Sequence, residues 1–110
     1  MSDVPTNRPL LEVTVTEGER TVIALVGDLD PHTAPQVHDA IDAVVGTDGV
    51  THVALDLAGI AFIDSSGLRA FVAGREVLAQ AGIEMALRNP SANTRRLLDI
   101  TGLGEIIEVA

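Results

Sequence analysis

The 110-residue chain contains no cysteine, no tryptophan and no tyrosine, and only two phenylalanines. Without cysteine there is no disulfide framework, no thiolate nucleophile and no thiolate metal site. Without tyrosine or tryptophan, tyrosine phosphorylation is excluded and the usual aromatic platforms for stacking bases are missing. Lysine is absent as well: all seven basic residues are arginines, namely Arg8, Arg20, Arg69, Arg75, Arg88, Arg95 and Arg96. That removes a Walker A phosphate loop, Schiff-base chemistry and a lysine general acid or base. Sixteen acidic against seven basic residues leave a formal charge of −9. Such a balance repels a phosphate backbone, so no nucleic-acid partner is expected, whereas a basic protein surface suits it. Long apolar runs are missing too. They reach about five residues, as in Val22 to Val26, against the ~20 of a membrane-spanning helix. Residues 1–9 are polar and hold two prolines, Pro5 and Pro9. They lack the pattern of a signal peptide or an anchor and are expected to form a loose arm ahead of a single domain over residues 10–110. The expectation is therefore a cytoplasmic protein with no membrane association.

Apolar residues make up 46% of the chain and charged ones 21%, a globular composition. Leu11, Val13 and Val15 alternate with Glu12, Thr14 and Thr16, the period of a strand with one wet face. A turn around Gly18 follows. Thr21 to Val26 is almost wholly apolar and reads as a strand covered on both faces, broken by Gly27-Asp28-Leu29-Asp30-Pro31. Thr33 is placed to cap the next helix, with Gln36 completing a capping box and Pro35 in the first turn. Val37, Ala40, Ile41, Val44 and Val45 form its apolar stripe, and Gly46 to Gly49 end it. Val53 to Leu57 reads as a short buried strand, after which residues 58–63 lead into Asp64-Ser65-Ser66-Gly67 and a helix to about Ala81.

On that second helix Leu68, Phe71, Val72, Leu78 and Ala79 share one arc, while Arg69, Glu76 and Gln80 occupy another. Arg75 falls within the apolar arc and is expected to lay its stem along the sheet with the guanidinium escaping at an edge. Gly74 suggests close packing against a neighbour. Glu84 to Arg88 reads as a further strand. Asn89-Pro90-Ser91 opens a third helix with proline in its first turn, Leu97 and Leu98 are its apolar residues, and Gly102-Leu103 matches a glycine C-cap. Glu105 to Val109 alternates again as a last strand. Two strands followed by alternating helices and strands make an α/β domain, with an antiparallel opening pair and parallel helix-linked strands.

The chemistry concentrates at Asp64-Ser65-Ser66-Gly67, where a segment of chain turns into a helix. A helix start carries unpartnered N–H groups and a partial positive charge. Either Asp64 or Ser65 can cap it, and Gly67 keeps the backbone open to close approach. On spacing alone the plain account is one capping group and one solvated serine. A hydrolase is not expected: the nucleophile-elbow pattern requires a glycine two residues before the serine, and neither Ser65 nor Ser66 has one. His32, His38 and His52 are scattered. Asp30 either contacts a partner or bonds turn N–H groups; Thr33 reads as a cap; Arg69, one turn from Ser66, either steers an acidic partner surface or is simply solvated.

Taken together, the motifs resemble a known family. Gly27-Asp28-Leu29-Asp30 followed by Thr33-Ala34, then Val53-Ala54-Leu55-Asp56-Leu57 with Phe62-Ile63-Asp64-Ser65-Ser66-Gly67-Leu68, are similar to signatures of STAS domains. Asn93-Thr94-Arg95-Arg96-Leu97-Leu98 with Thr101-Gly102-Leu103 resembles that family's third-helix motif. In this order the matches span roughly residues 11 to 109, and the branch they resemble is the SpoIIAA-like anti-sigma factor antagonists. The resemblance implies a mixed sheet of about four to five strands with helices mainly on one face. It implies a non-enzymatic binding module: the unphosphorylated form sequesters an anti-sigma factor that is also a serine kinase and so frees a sigma factor. Phosphorylation at Ser66, the second serine of the motif, releases the kinase, and a PP2C-type phosphatase resets the system. Partner contacts are expected at Asp28, Asp30, Thr33, Asp64, Ser65, Ser66, Gly67 and Arg69. ATP and magnesium belong to the kinase, and no cofactor of this chain is implied. A monomer or weak dimer is expected. The alternative within the family is a nucleotide or small-molecule sensor, or an accessory subunit of a lipid transporter. The family pattern also includes a helix after the last strand, and the matched motifs run out before it.

Overall fold

The period-two run and the β-branched run after Gly18 pair as an antiparallel hairpin. Strand β1 (Leu11–Thr16) lies against β2 (Arg20–Leu29), with Leu11 opposite Gly27 and Thr16 opposite Val22. The chain continues through α1 (Ala34–Val45), β3 (His52–Ile63), α2 (Ser65–Gln80), β4 (Glu84–Arg88) and α3 (Ala92–Thr101), then a 3-10 turn at Leu103–Glu105 and β5 (Glu108–Val109). The computed structural model describes residues 11–110; the expected N-terminal arm lies outside the described residues. The five strands stand in the order β1-β2-β3-β4-β5, and every pair after the first is parallel. This is the mixed α/β sheet expected from the sequence.

Burial alternates along β2. Ile23, Leu25 and Leu29 are fully buried, whereas Val26 is 51% exposed and Val22 and Ala24 are only half-buried. The strand is therefore not covered on both faces. The core of Ile23, Leu25, Leu55, Leu57, Ile41, Phe71, Leu78 and Leu87 lies on the helix side, and the other face of the sheet is open. Val22, Ala24 and Val26 are there because a β-branched or small residue suits any pleated surface, wet or dry.

Both central strands run further than their sequences suggest. Gly27 does not end β2, and residues 58–63 do not form a loop: β3 continues through Ile63, with Val26 opposite Gly59 and Asp28 opposite Phe62. Register shifts between Ala24 and Val26 and between Gly27 and Asp28 absorb the mismatch. Gly27 takes φ +126, and a Cβ on Gly59 would lie 2.7 Å from Val26 Cγ2. These glycines mark bulges and a close backbone approach rather than strand ends. Beside the bulge, Asp56 Oδ1 accepts from Ala58 N at 3.1 Å and from Asn89 Nδ2 at 3.1 Å. The Ala58 bond first, then the Asn89 bond, with a contribution from the Arg88 charge, hold the Asp56 carboxyl below its ordinary value against a smaller opposing effect of burial.

The buried stripe of α2 is Gly67, Leu68, Ala70, Phe71, Gly74 and Leu78, so it is centred on the small residues. Arg75 and Ala79, expected on the buried arc, are exposed, and Val72 is half-buried. A hydrophobicity arc gives glycine and alanine little weight, yet here they let α1 and α2 approach. A Cβ on Gly74 would collide with Ile41 Cδ1. At α3, Ser91 is the cap and its Oγ accepts from Thr94 N at 3.1 Å, which leaves Pro90 ahead of the helix and not in its first turn. Gly102, at φ +76, stops α3 as expected. The 3-10 turn then takes up Leu103–Glu105, so the last strand is only Glu108–Val109. Among the described residues no helix is long and apolar enough to cross a membrane.

Candidate functional site at the start of the second helix

Parallel strands end at the same edge of a sheet, and this brings the two motifs together. Asp64 N donates to Leu29 O at 3.2 Å, which ties the start of α2 to the end of β2 and to the loop leading into α1. In that loop Asp30 Oδ1 accepts from His32 N at 2.9 Å and Thr33 N at 3.1 Å. Thr33 Oγ1 donates to Asp28 O at 2.8 Å and accepts from Asp30 N at 3.1 Å. Asp30 thus bonds turn N–H groups, one of the two roles its position suggested. Thr33, only 2% exposed, is a fastener of the loop.

Thr33 stands at the cap position of α1 but makes no side-chain cap bond, and the expected capping box does not form. The second helical residue is Pro35, which has no N–H to donate. Gln36 instead reaches across to β1, with Nε2 donating to Leu11 O at 3.0 Å. The hairpin edge is thereby pinned to the first turn of α1.

Asp64 caps α2 from an extended conformation (φ −124, ψ −168), its Oδ1 accepting from Ser66 N at 2.9 Å and Gly67 N at 3.4 Å. The Asp64 carbonyl accepts from Gly67 N at 3.1 Å and Leu68 N at 3.2 Å. Ser66 N, Gly67 N and Leu68 N of the first turn are therefore already occupied. Replacing Asp64 by alanine is expected to cost about 1 kcal/mol of unfolding free energy, the usual worth of a lost cap. A urea titration monitored by far-UV circular dichroism measures it, and an unchanged midpoint would show that the cap contributes nothing.

Ser65 is exposed and Ser66 half-buried. Among the described residues neither hydroxyl is hydrogen-bonded to a histidine or a carboxylate, so no general base is assembled. Gly67 is buried, and a Cβ there would lie 2.8 Å from both Ile63 Cγ1 and Leu29 Cγ. Its role is to let the helix start sit down on the core, not to open the backbone to a visitor. Arg69 is exposed one turn along.

Ser66 stands at the head of a shallow groove of about 570 Å³ between α1 and α2. Pro31, Ala34, Pro35 and His38 form one bank; Arg69, Ala70, Ala73 and Glu76 form the other. Apart from Arg69, sequence reasoning missed these residues. Their only signal was the three- and four-residue spacing of Ala34, Pro35 and His38 on one face of α1.

Comparison with known proteins agrees with this geometry. Residues 11–110 match the STAS domain family model. An anti-sigma-B factor antagonist of Listeria monocytogenes is 32% identical over 99 residues, covering 90% of this chain and 86% of that protein. The anti-sigma factor antagonist SpoIIAA in its unphosphorylated form superposes with a TM-score of 0.74 at 27% identity, covering 91% of this chain and 87% of SpoIIAA. The phosphorylated form of the Bacillus cell fate determinant SpoIIAA superposes with a TM-score of 0.68 at 27% identity, covering 91% and 90%. The chain belongs to the STAS domain family, in its anti-sigma factor antagonist branch.

Proposed function

We propose that this chain is an anti-sigma factor antagonist working by partner switching, with Ser66 as the switch. Unphosphorylated, it holds an anti-sigma factor that is also a serine kinase and so frees a sigma factor. Phosphorylated at Ser66, it lets the kinase go, and a PP2C-type phosphatase restores the first state. The chain itself catalyses nothing; ATP and magnesium arrive with the kinase. It works in the cytoplasm as a monomer or weak dimer.

The observation that carries this reading is a half-buried serine, its hydroxyl without a hydrogen-bond partner among the described residues, at the head of a groove and on a helix start capped by the carboxylate of Asp64. A phosphate adds about −1.5 to −2 charge at neutral pH. At this helix start it meets a capping carboxylate that has already taken the N–H groups, so it stays on the surface as net repulsion. A partner docking over this edge must then bury that charge beside the Asp64 carboxylate. Partner-facing roles are assigned to Asp28, Asp64, Ser65, Ser66 and Arg69, while Asp30, Thr33 and Gly67 hold the surface in shape.

Incubation with ATP, magnesium and the purified anti-sigma factor kinases of the source organism, followed by intact-mass measurement, tests the proposal. One phosphate is expected on the native chain and on Ser65→Ala, and none on Ser66→Ala. A phosphate that persists on Ser66→Ala would reject the site, and no phosphate from any of these kinases would reject the function.

A further inference from the structure

The edge that carries Ser66 continues around the end of the sheet onto the open face. There two large apolar side chains stand out of the surface: Val26 is 51% exposed and Phe62 is 53% exposed. They are diagonal neighbours, because Val26 is opposite Gly59 and Phe62 is opposite Asp28 on the adjoining strand. Measured along β2 they are two residues apart, and along β3 three, the extra residue being taken up by the register shift between Gly27 and Asp28. Gly59 has no side chain to shield Val26, and the bulge leaves Ala58 and Ala61 as the only other β3 side chains beside the pair that are exposed. Acidic residues flank both: Glu12 is opposite Val26 on β1, and Asp28 is opposite Phe62 on β2. Phe62 is also two residues from Asp64, whose carboxylate caps the helix at Ser66.

We infer that Phe62 and Val26 form an apolar anchor for the same anti-sigma factor kinase, which grips the domain around the sheet edge as well as across Ser66. This inference rests on the function proposed above. The charge pattern selects the occupant. An apolar pair rimmed by carboxylates, on a chain of net charge −9, fits a partner socket that is apolar within and rimmed by lysine or arginine. It disfavours a second copy of this chain, which would bring the same carboxylates face to face. An exposed phenylalanine is of the aromatic class enriched in interface cores, and Val26 adds apolar area beside it.

The test takes the kinase that phosphorylates the native chain and titrates it calorimetrically with native chain, Phe62→Ala, Val26→Thr and Ile100→Ala. Ile100 is 72% exposed on α3 and serves as an apolar control. Phe62→Ala is expected to weaken binding roughly ten- to a hundredfold and Val26→Thr about three- to tenfold, with Ile100→Ala unchanged. The melting temperatures of all four should agree within a few degrees, which separates lost contact from lost fold. Native affinity in Phe62→Ala overturns the inference and leaves the switch at Ser66 standing. Absence of binding by the native chain overturns the function on which it rests. Two further outcomes also overturn it: sedimentation showing a native dimer that Phe62→Ala dissolves, or amide shifts at Val26 and Phe62 when residues 1–10 are removed. These would assign the patch to a second copy or to the chain's own start.

Discussion

Glutamate in place of Ser66 is expected to weaken binding to the partner kinase a few hundred-fold, an expected loss of about 3–4 kcal/mol. The magnitude follows from where the charge lands. Asp64 Oδ1 already holds Ser66 N and Gly67 N, and Asp30 is locked into its own turn by bonds to His32 N and Thr33 N. The Asp64 carboxylate, held at the helix start, is not free to move away from a new anion. Among the described residues no arginine is ion-paired at this edge; the approach of His52 to Glu84 at 3.9 Å, an ion pair only with a protonated imidazole, is at the opposite end of β3. In the free domain water and the exposed Arg69, one turn along in the same groove, screen the added charge; under a docked partner, where water is gone, it is costly. Titration calorimetry measures the change, with Ser66→Asn as a neutral control of similar polarity. If the glutamate variant binds as tightly as the native chain, charge is not the signal.

Gly74→Leu is expected to lower the unfolding free energy by about 2 kcal/mol. Forcing a side chain into a packed seam costs roughly 3 kcal/mol at the upper end of the usual range. Leaving glycine returns about 1 kcal/mol of helix propensity. The position has no spare room, because even a Cβ would strike Ile41 Cδ1, and Met85 Sδ is 3.9 Å away. The melting temperature should fall by roughly 10 °C in a domain of this size. Gly74→Ala sets the scale. The atom it strikes is the far end of a flexible isoleucine, which can swing aside, so the propensity gain offsets the clash and stability changes little. Equal stability of Gly74→Leu and the native chain in thermal melts would mean that α1 and α2 do not touch as closely as described.

Element order was readable in the sequence wherever one period dominated. The alternation of Leu11 to Thr16, the stripe from Val37 to Val44 and the glycine stop at Gly102 each correspond to an element in place. The failures share a cause: glycine and proline punctuate, but their meaning depends on the neighbouring strand or turn. Gly27 looked like a strand end and is a bulge, because β3 runs alongside and supplies the pairing. Thr33 looked free to cap α1, but Pro35 removes one of the two N–H groups it could hold, and the Thr33 hydroxyl is spent on Asp28 O and Asp30 N. The arc of α2 was misplaced because small residues carry the contact, which no hydrophobicity scale registers. At the site, the Asp64-Ser65-Ser66-Gly67 segment could be located from sequence, but its environment could not. That Asp64 and not Ser65 is the cap, and that Thr33 fastens the loop, rest on local geometry that more than one nearby side chain could satisfy; that His38 faces the groove of Ser66 depends on segments far apart in the chain.

The capping aspartate has a consequence for reversibility. A phosphoserine that found a nest of vacant amides would be swallowed by the domain, stabilised there and shielded from hydrolysis. Here Ser66 N, Gly67 N and Leu68 N are already taken, so under the proposed switch at Ser66 the ester oxygens are expected to stay outside, hydrated and open to a phosphatase. On the proposed function, the domain is expected to cycle between its two forms without refolding in either direction, with the pace of the cycle left to the enzymes that write and erase the mark.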